Sequence, residues 1–149
     1  MAFILDKYDE CGFCRYVRRD AFCAVVIENE LAIAFVNLRQ YERGAALVIP
    51  MRHVETILDA TDAELAAISQ LAGKLARAAH RIFGATGANV FQNNGVKAGQ
   101  HVPHMHTHVV PRYPESDPEQ LFLQRNFAVI SPEEQQAIAD DLKRSLQAE

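Results

Sequence analysis

With 149 residues, 49% hydrophobic and 23% charged, the chain has the size and balance of one globular domain, 1–149, with a single sizeable core. Its formal charge is −4 with Lys and Arg scattered, so it lacks the basic stripe that a nucleic-acid polymer requires of its partner. The N-terminal MAFILDKYDE has a short apolar run without a cationic start, no stretch nears membrane-spanning length, and the odd number of cysteines fits a reducing compartment; the expected location is the cytoplasm, with no membrane partner.

Taken in chain order, the first feature is CGFC at 11–14, a Cys-x-x-Cys pair that serves redox and metal sites alike. A thioredoxin-type pair needs a strand before it and a helix after it in a βαβ setting, whereas this one precedes the first predicted strand. CAVVIE (23–28) and LAIAFVN (31–37) are short, apolar and β-branched, and predict a hairpin turning at Asn29, with Cys23 in the core. ALVIP (46–50) is a third strand. Thr61 and Glu64 then have capping-box spacing, and Leu65, Ile68, Ala72, Leu75, Ala79 and Ile82 step by three and four up to Gly84. That stripe predicts one long amphipathic helix covering a sheet, with His80 facing solvent. ANVFQ (88–92) predicts a fourth strand, QNNGVKAGQ (92–100) a polar loop punctuated by glycine, and HVPHMHTHVVPR (101–112) a fifth strand. A second capping box, Ser131 to Glu134, opens a C-terminal helix carrying Ile138, Leu142 and Leu146. Strands in runs, interrupted once by a long helix, predict an α+β fold: a mostly antiparallel five-stranded sheet with the long helix packed on it and a C-terminal helix.

Four of the six histidines fall between His101 and His108. On a strand, His104, His106 and His108 share one face while Met105, Thr107 and Val109 take the other; on a helix the same three would scatter. Imidazole is both a nucleophile and a proton carrier near neutral pH, and its chemistry depends on which ring nitrogen a neighbour holds. A middle histidine whose Nδ1–H is held by a carbonyl can attack phosphorus through Nε2. The loop upstream supplies donors for phosphate oxygens: the amides of Asn93, Asn94 and Gln100, and backbone N–H groups made accessible by Gly95 and Gly99.

GQHVPHMHTHVVPR resembles the signature of the histidine triad (HIT) superfamily, Gln-x-φ-x-His-φ-His-φ-His-φ-φ with φ apolar, Thr107 being the mildly polar exception. The resemblance extends to FVN (35–37), GAALVIPMRH (44–53) and VFQNNGVKAGQ (90–100), so it covers roughly residues 9–112 and leaves 113–149 as a C-terminal extension. It implies a nucleotide-binding α+β fold, commonly a homodimer, that hydrolyses or transfers nucleoside monophosphate groups. Carried over by position, His106 is the nucleophile that forms a nucleotidyl-histidine, and His108 bonds the phosphate oxygens with Asn93, Gln100 and the backbone of Gly99, His101 and Val102. Asn37 falls where the family binds ribose hydroxyls. Phe13, Tyr16 and Phe35 are candidates for the base pocket or for plain core.

A closed structural zinc site needs four ligands, so the cysteine pair requires two more, for which His53 and His104 are the candidates. The resemblance to bacterial HIT proteins implies the same set: Cys11, Cys14, His53 and His104 holding Zn, with His104 bracing the catalytic strand and taking no part in proton transfer. Buried free thiols are the alternative. Two positions depart from the family pattern. Relatives often carry a histidine where this chain has Ala45, which motivates a second reading as a nucleotide-binding module with vestigial catalysis. They also often carry Ser or Thr after the glutamine, where His101 stands as a candidate leaving-group donor or an exposed loop residue. A third reading, a metal-binding protein, would make His106 and His108 ligands as well.

Overall fold

Asn29 closes the first hairpin through its own side chain. In the computed structural model, which describes residues 2–5, 10–120 and 127–148, its Oδ1 accepts from the N–H groups of Leu31 and Ala32, each at 2.9 Å. This Asx turn joins β1 (Val25–Glu28) to β2 (Ala32–Val36). Ahead of the hairpin lies a helix that the sequence reading did not anticipate, α1 (Gly12–Arg18), which starts on the cysteine pair: the Cys11 sulfur accepts from the Cys14 N–H.

The main sheet is five-stranded and antiparallel between every neighbouring pair, in the order β1, β2, β4 (Ala46–Pro50), β6 (Thr107–Arg112), β5 (Gly87–Gln92). The expected α+β architecture is therefore present. A second sheet of two short strands, β3 (Arg39–Gln40) and β7 (Ala128–Val129), ties the C-terminal region to the end of β2. The long helix α2 (Asp62–Phe83) bears the predicted capping box at Thr61 and ends on Gly84 in the left-handed region at φ 74°. Its partner α3 (Pro132–Gln147) opens with the second capping box, Ser131 with Glu134.

The inner strands β2 and β4 are buried on both faces, which is why they read as continuous apolar runs. One face carries Ala34, Val36, Val48, Met105 and Val109 against Ile68, Leu71, Leu75 and Leu142 of the long helices. The other carries Ile33, Phe35, Leu47 and Ile49 against Phe13, Tyr16 and Val17 of α1. Each face follows the two-residue period of the strands.

Three expectations need correction. The histidine segment is a strand only from Thr107, so His104 and His106 precede β6. The backbone there is diverted: Met105 N–H donates to Val54 O, and the His104 carbonyl is taken by the His106 ring. The alternation of faces nevertheless holds, with Met105 and Val109 in the helix-side core. Ile82 is 39% exposed, and Phe83, one residue on, takes the inward position against the core with its ring close to Gly44. Cys23 is half-buried against the α1 side of the sheet, outside the main core. His80 is exposed, as expected, with Nδ1 bonded to the Ala85 carbonyl.

Glu64 has two duties. Its carboxylate closes the α2 capping box on the Thr61 N–H and pairs with Arg52 Nη2 at 2.7 Å, and the Arg52 bond is the main reason its carboxyl is held below the ordinary value of 4.5. A carboxyl whose folded pKa is depressed adds stability above its unfolded value and loses that contribution as pH falls through the folded one. Glu64→Gln keeps a capping-box side chain without the charge. Denaturant titrations against pH should show wild type more stable near neutrality, with the difference shrinking below pH 4.5.

Candidate active site and metal cluster

The cavity lies on the α1 side of the sheet. It encloses about 650 Å³ and is lined at one end by His106, His108, His101, Asn93, Gly99 and Val102. Strand register sets His108 level with Phe35 through Leu47, with Asn37 and then Arg39 successively further along. The lining therefore runs from the histidines past Phe13, Tyr16, Phe35 and Asn37 to a far end at Arg39, where Phe127 packs on the guanidinium and Tyr41 on Phe127; Gln135 is also on the lining.

His106 is 8% exposed, and its Nδ1 lies 2.9 Å from the His104 carbonyl. A carbonyl only accepts, so the proton sits on Nδ1 and the Nε2 lone pair is free. Burial, chiefly, holds the ring's pKa below 6.5; the carbonyl bond opposes the shift and nearby His101 adds to it. The imidazole is therefore neutral and nucleophilic at neutral pH. The edge of Phe13 meets it at 5.3 Å between ring centres and limits its rotation.

His108 stacks flat on Phe91 at 4.6 Å, the two residues being directly opposed across β5 and β6. Its Nδ1 is buried with no partner among the described residues, and burial pushes its pKa down to about 4. An orphaned lone pair is less costly than an orphaned N–H, so the proton belongs on Nε2, where the ring can donate.

The loop between β5 and β6 is braced largely by its own groups. Gln100, 2% exposed, accepts from Gly95 N–H through Oε1 and donates through Nε2 to the carbonyls of Glu55 and Val102. Asn94 Oδ1 accepts from Ile57 N–H and from Gln92. The N–H groups of Gly99 and Gln100 bond Val96 O and Gly95 O across a short 3-10 turn, Val96–Ala98. Gly95 and Gly99 both have φ near +90°, a conformation that favours glycine, and a Cβ on Gly95 would stand 2.9 Å from Phe3. This corrects the expected donor set. Gln100, Asn94 and Gly95 shape the loop from behind, whereas Asn93, Gly99, His101 and Val102 reach the cavity. Asn37, 7% exposed, spends Oδ1 on the Arg39 N–H and keeps its NH₂ group for another partner.

Ala45 is 1% exposed, packed beside Asn37, whose N–H bonds its carbonyl. It does not line the cavity, so its place among the site residues is the neighbouring row of the sheet. The lining residues Arg39, Tyr41, Phe127 and Gln135 escaped the sequence reading: the two-residue strands that gather the first three are too short for any period to show.

Behind His106 lies the second cluster. The ligand atoms of Cys11, Cys14, His53 and His104 all lie within 4.8 Å of one another. His104, fully buried, donates through Nε2 to the Pro50 carbonyl at 2.9 Å, which turns the Nδ1 lone pair toward Cys11 Sγ at 3.4 Å and Cys14 Sγ at 3.5 Å. His53 Nδ1 is 3.2 Å from Cys14 Sγ, and its Nε2 faces the Glu55 carboxylate at 3.8 Å. These separations match the edges of a tetrahedron with zinc bonds of about 2.0–2.3 Å, and the other nitrogen of His104 is held by a carbonyl, as in metal-bound histidines. Burial and the adjacent Cys11 sulfur push the Cys14 thiol up to about 11, a penalty that a divalent cation would relieve. His106 and His108 are not part of this cluster.

Comparison with known proteins agrees with the architecture. Residues 18–115 match the HIT domain family. Protein hit of Bacillus subtilis is 34% identical over 93% of this chain and 95% of its own length. An adenosine 5′-monophosphoramidase of Schizosaccharomyces pombe is 32% identical over 91% of this chain and 98% of its own. A Zn-bound histidine triad family protein from Mycobacterium smegmatis superposes with a TM-score of 0.77 at 29% identity, covering 93% of this chain and 94% of that one. The chain belongs to the HIT family.

If Gln100 acts by bracing the loop, Gln100→Ala leaves a buried N–H and two carbonyls without partners. The expected loss of stability is about 2–3 kcal/mol in denaturant unfolding.

Proposed function

We propose that the chain, acting as one domain over residues 1–149, is a nucleotide hydrolase or nucleotidyl transferase. Its substrate is a nucleoside 5′-phosphate ester, anhydride or phosphoramidate attacked at the α-phosphorus. The observation that carries this reading is the bond from His106 Nδ1–H to the His104 carbonyl, which frees Nε2 of a buried neutral imidazole on the wall of the cavity. Nε2 forms a bond to phosphorus as the leaving group departs with the electron pair of its own bond. The product is a nucleotidyl-histidine. Water, or another acceptor, then attacks the same phosphorus and returns the imidazole to its starting state.

His108 Nε2–H, the Asn93 amide and the Val102 N–H hold the phosphate oxygens, and Gly99 lets the loop approach closely. Gln100 supports that loop through the backbone bonds described above. Asn37 takes the ribose hydroxyls through its NH₂ group. His101, exposed beside His106, hands a proton to the departing atom. The named activity of the fission yeast relative, an adenosine 5′-monophosphoramidase, supports this substrate class.

Cys11, Cys14, His53 and His104 hold a structural zinc in this reading, supported by the zinc-bound mycobacterial neighbour and by the donor set. The ion stabilises the fold and takes no part in proton transfer; its ligands keep α1 and the His104 backbone where the nucleophile needs them. We also propose a homodimer. The free edge of β5 supports it, an outer strand with Val90 52% exposed. A cytoplasmic location without a membrane partner belongs to the same proposal; among the described residues no helix is long and apolar enough to cross a membrane.

A second reading, a nucleotide-binding module with vestigial catalysis, is favoured by Ala45, where relatives often carry a histidine. A panel of adenosine and guanosine phosphoramidates and dinucleoside polyphosphates separates the two. Turnover with a nucleotidyl adduct in the protein mass spectrum, both lost in His106→Ala, is expected; binding without turnover or adduct would favour the module. In the same panel His101→Ala should slow poor leaving groups selectively, and equal slowing of all substrates would remove its assigned role.

For the metal, elemental analysis of the purified protein should give about one zinc per chain, in keeping with a single four-ligand site. Cys14→Ala should lose the ion and lower the melting temperature. Light scattering on the same samples should give the mass of two chains.

A further inference from the structure

We propose that Arg39 reads the nucleotide's base and biases the site toward guanine; this rests on the nucleotide reading of the cavity given above. The cavity lining continues past Asn37 to Arg39 and Phe127 and also includes Gln135. With phosphate at His106 and ribose at Asn37, a residue two positions beyond Asn37 lies on the nucleoside side. The leaving group departs on the opposite side, toward His101.

Two features make this end a reader of hydrogen bonds. The Arg39 guanidinium lies over the Phe127 ring, its central carbon 5.1 Å from the centroid, a contact that favours stacking of the planar donor fork on the ring. No carboxylate pairs with it among the described residues, and its own N–H is anchored on Asn37 Oδ1. Gln135, 9% exposed, donates from Nε2 to the Ile130 carbonyl at 3.2 Å, which leaves Oε1 as its accepting end. This part of the cavity thus offers an arginine donor fork and an acceptor.

Guanine matches that pattern. It presents O6 and N7 as adjacent acceptors, the arrangement an arginine fork bonds in bidentate fashion, and its N1–H and N2–H₂ donors suit the glutamine oxygen. Adenine carries the N6 amine where guanine has O6, so an arginine donor would meet a donor. Glutamine at position 39 has one donor and one acceptor, the pattern that pairs with adenine N6 and N7.

The test uses the full chain with guanosine and adenosine 5′-phosphoramidates, and GMP and AMP binding by calorimetry. Wild type should prefer guanosine roughly tenfold in kcat/KM. Arg39→Ala should bring the ratio close to one, and Arg39→Gln should reverse it. The Gln variant also decides the question should the Ala variant fold poorly. Equal handling of both bases by wild type, or an unchanged guanine preference in Arg39→Gln, overturns the assignment while leaving the nucleotide reading intact. Failure of both GMP and AMP to bind overturns the two together.

Discussion

One hydrogen bond organises this site: the Nδ1–H of His106 on the carbonyl of His104. It sets the tautomer of the His106 imidazole, and the other tautomer would turn the lone pair away from the cavity. Its acceptor is fixed in turn, because the His104 ring is anchored at both nitrogens, by the Pro50 carbonyl on one side and the two cysteine sulfurs on the other. The residue that closes the cysteine–histidine cluster is thus the residue whose backbone aims the His106 imidazole.

The same arrangement explains why α1 matters beyond its seven residues. A helix that short has no independent stability. It is held at its start by the cysteines and along its length by Phe13, Tyr16 and Val17 on the sheet face of Ile33, Phe35, Leu47 and Ile49. Phe13 then touches both His104 and His106 edge-on. The cysteine–histidine cluster, the short helix and His106 form one packed unit, so a change at any of them reaches the others through direct contact.

Much of the frame was legible from local chemistry. Both capping boxes, the turn at Asn29 and four of the five main strands follow from short-range hydrogen bonding and side-chain period, and all are present. The histidine segment was half legible: the division of faces holds, but the ladder begins later than the pattern suggests because Met105 N–H goes to Val54 and the His104 carbonyl to a side chain. The donor loop was legible as a loop. Which of its amides turn outward was not, since Gln100 and Asn93 differ only in what surrounds them: backbone groups from Glu55 and Val102 consume the first and leave the second at the cavity.

By itself, then, the sequence determined the elements, their order, and the concentration of imidazole and thiol that marks the family, because period, capping and spacing are properties of neighbouring residues. Tertiary structure alone decided three other things. It brought Cys11 and Cys14 to His53 and His104 across distances of up to 93 residues along the chain. It fixed the His104 tautomer through the carbonyl of Pro50, a residue far back along the chain, and it carried Arg39 and Phe127 to the cavity through a pairing of two-residue strands. Contacts of that separation depend on how the whole core packs, and no local pattern records them.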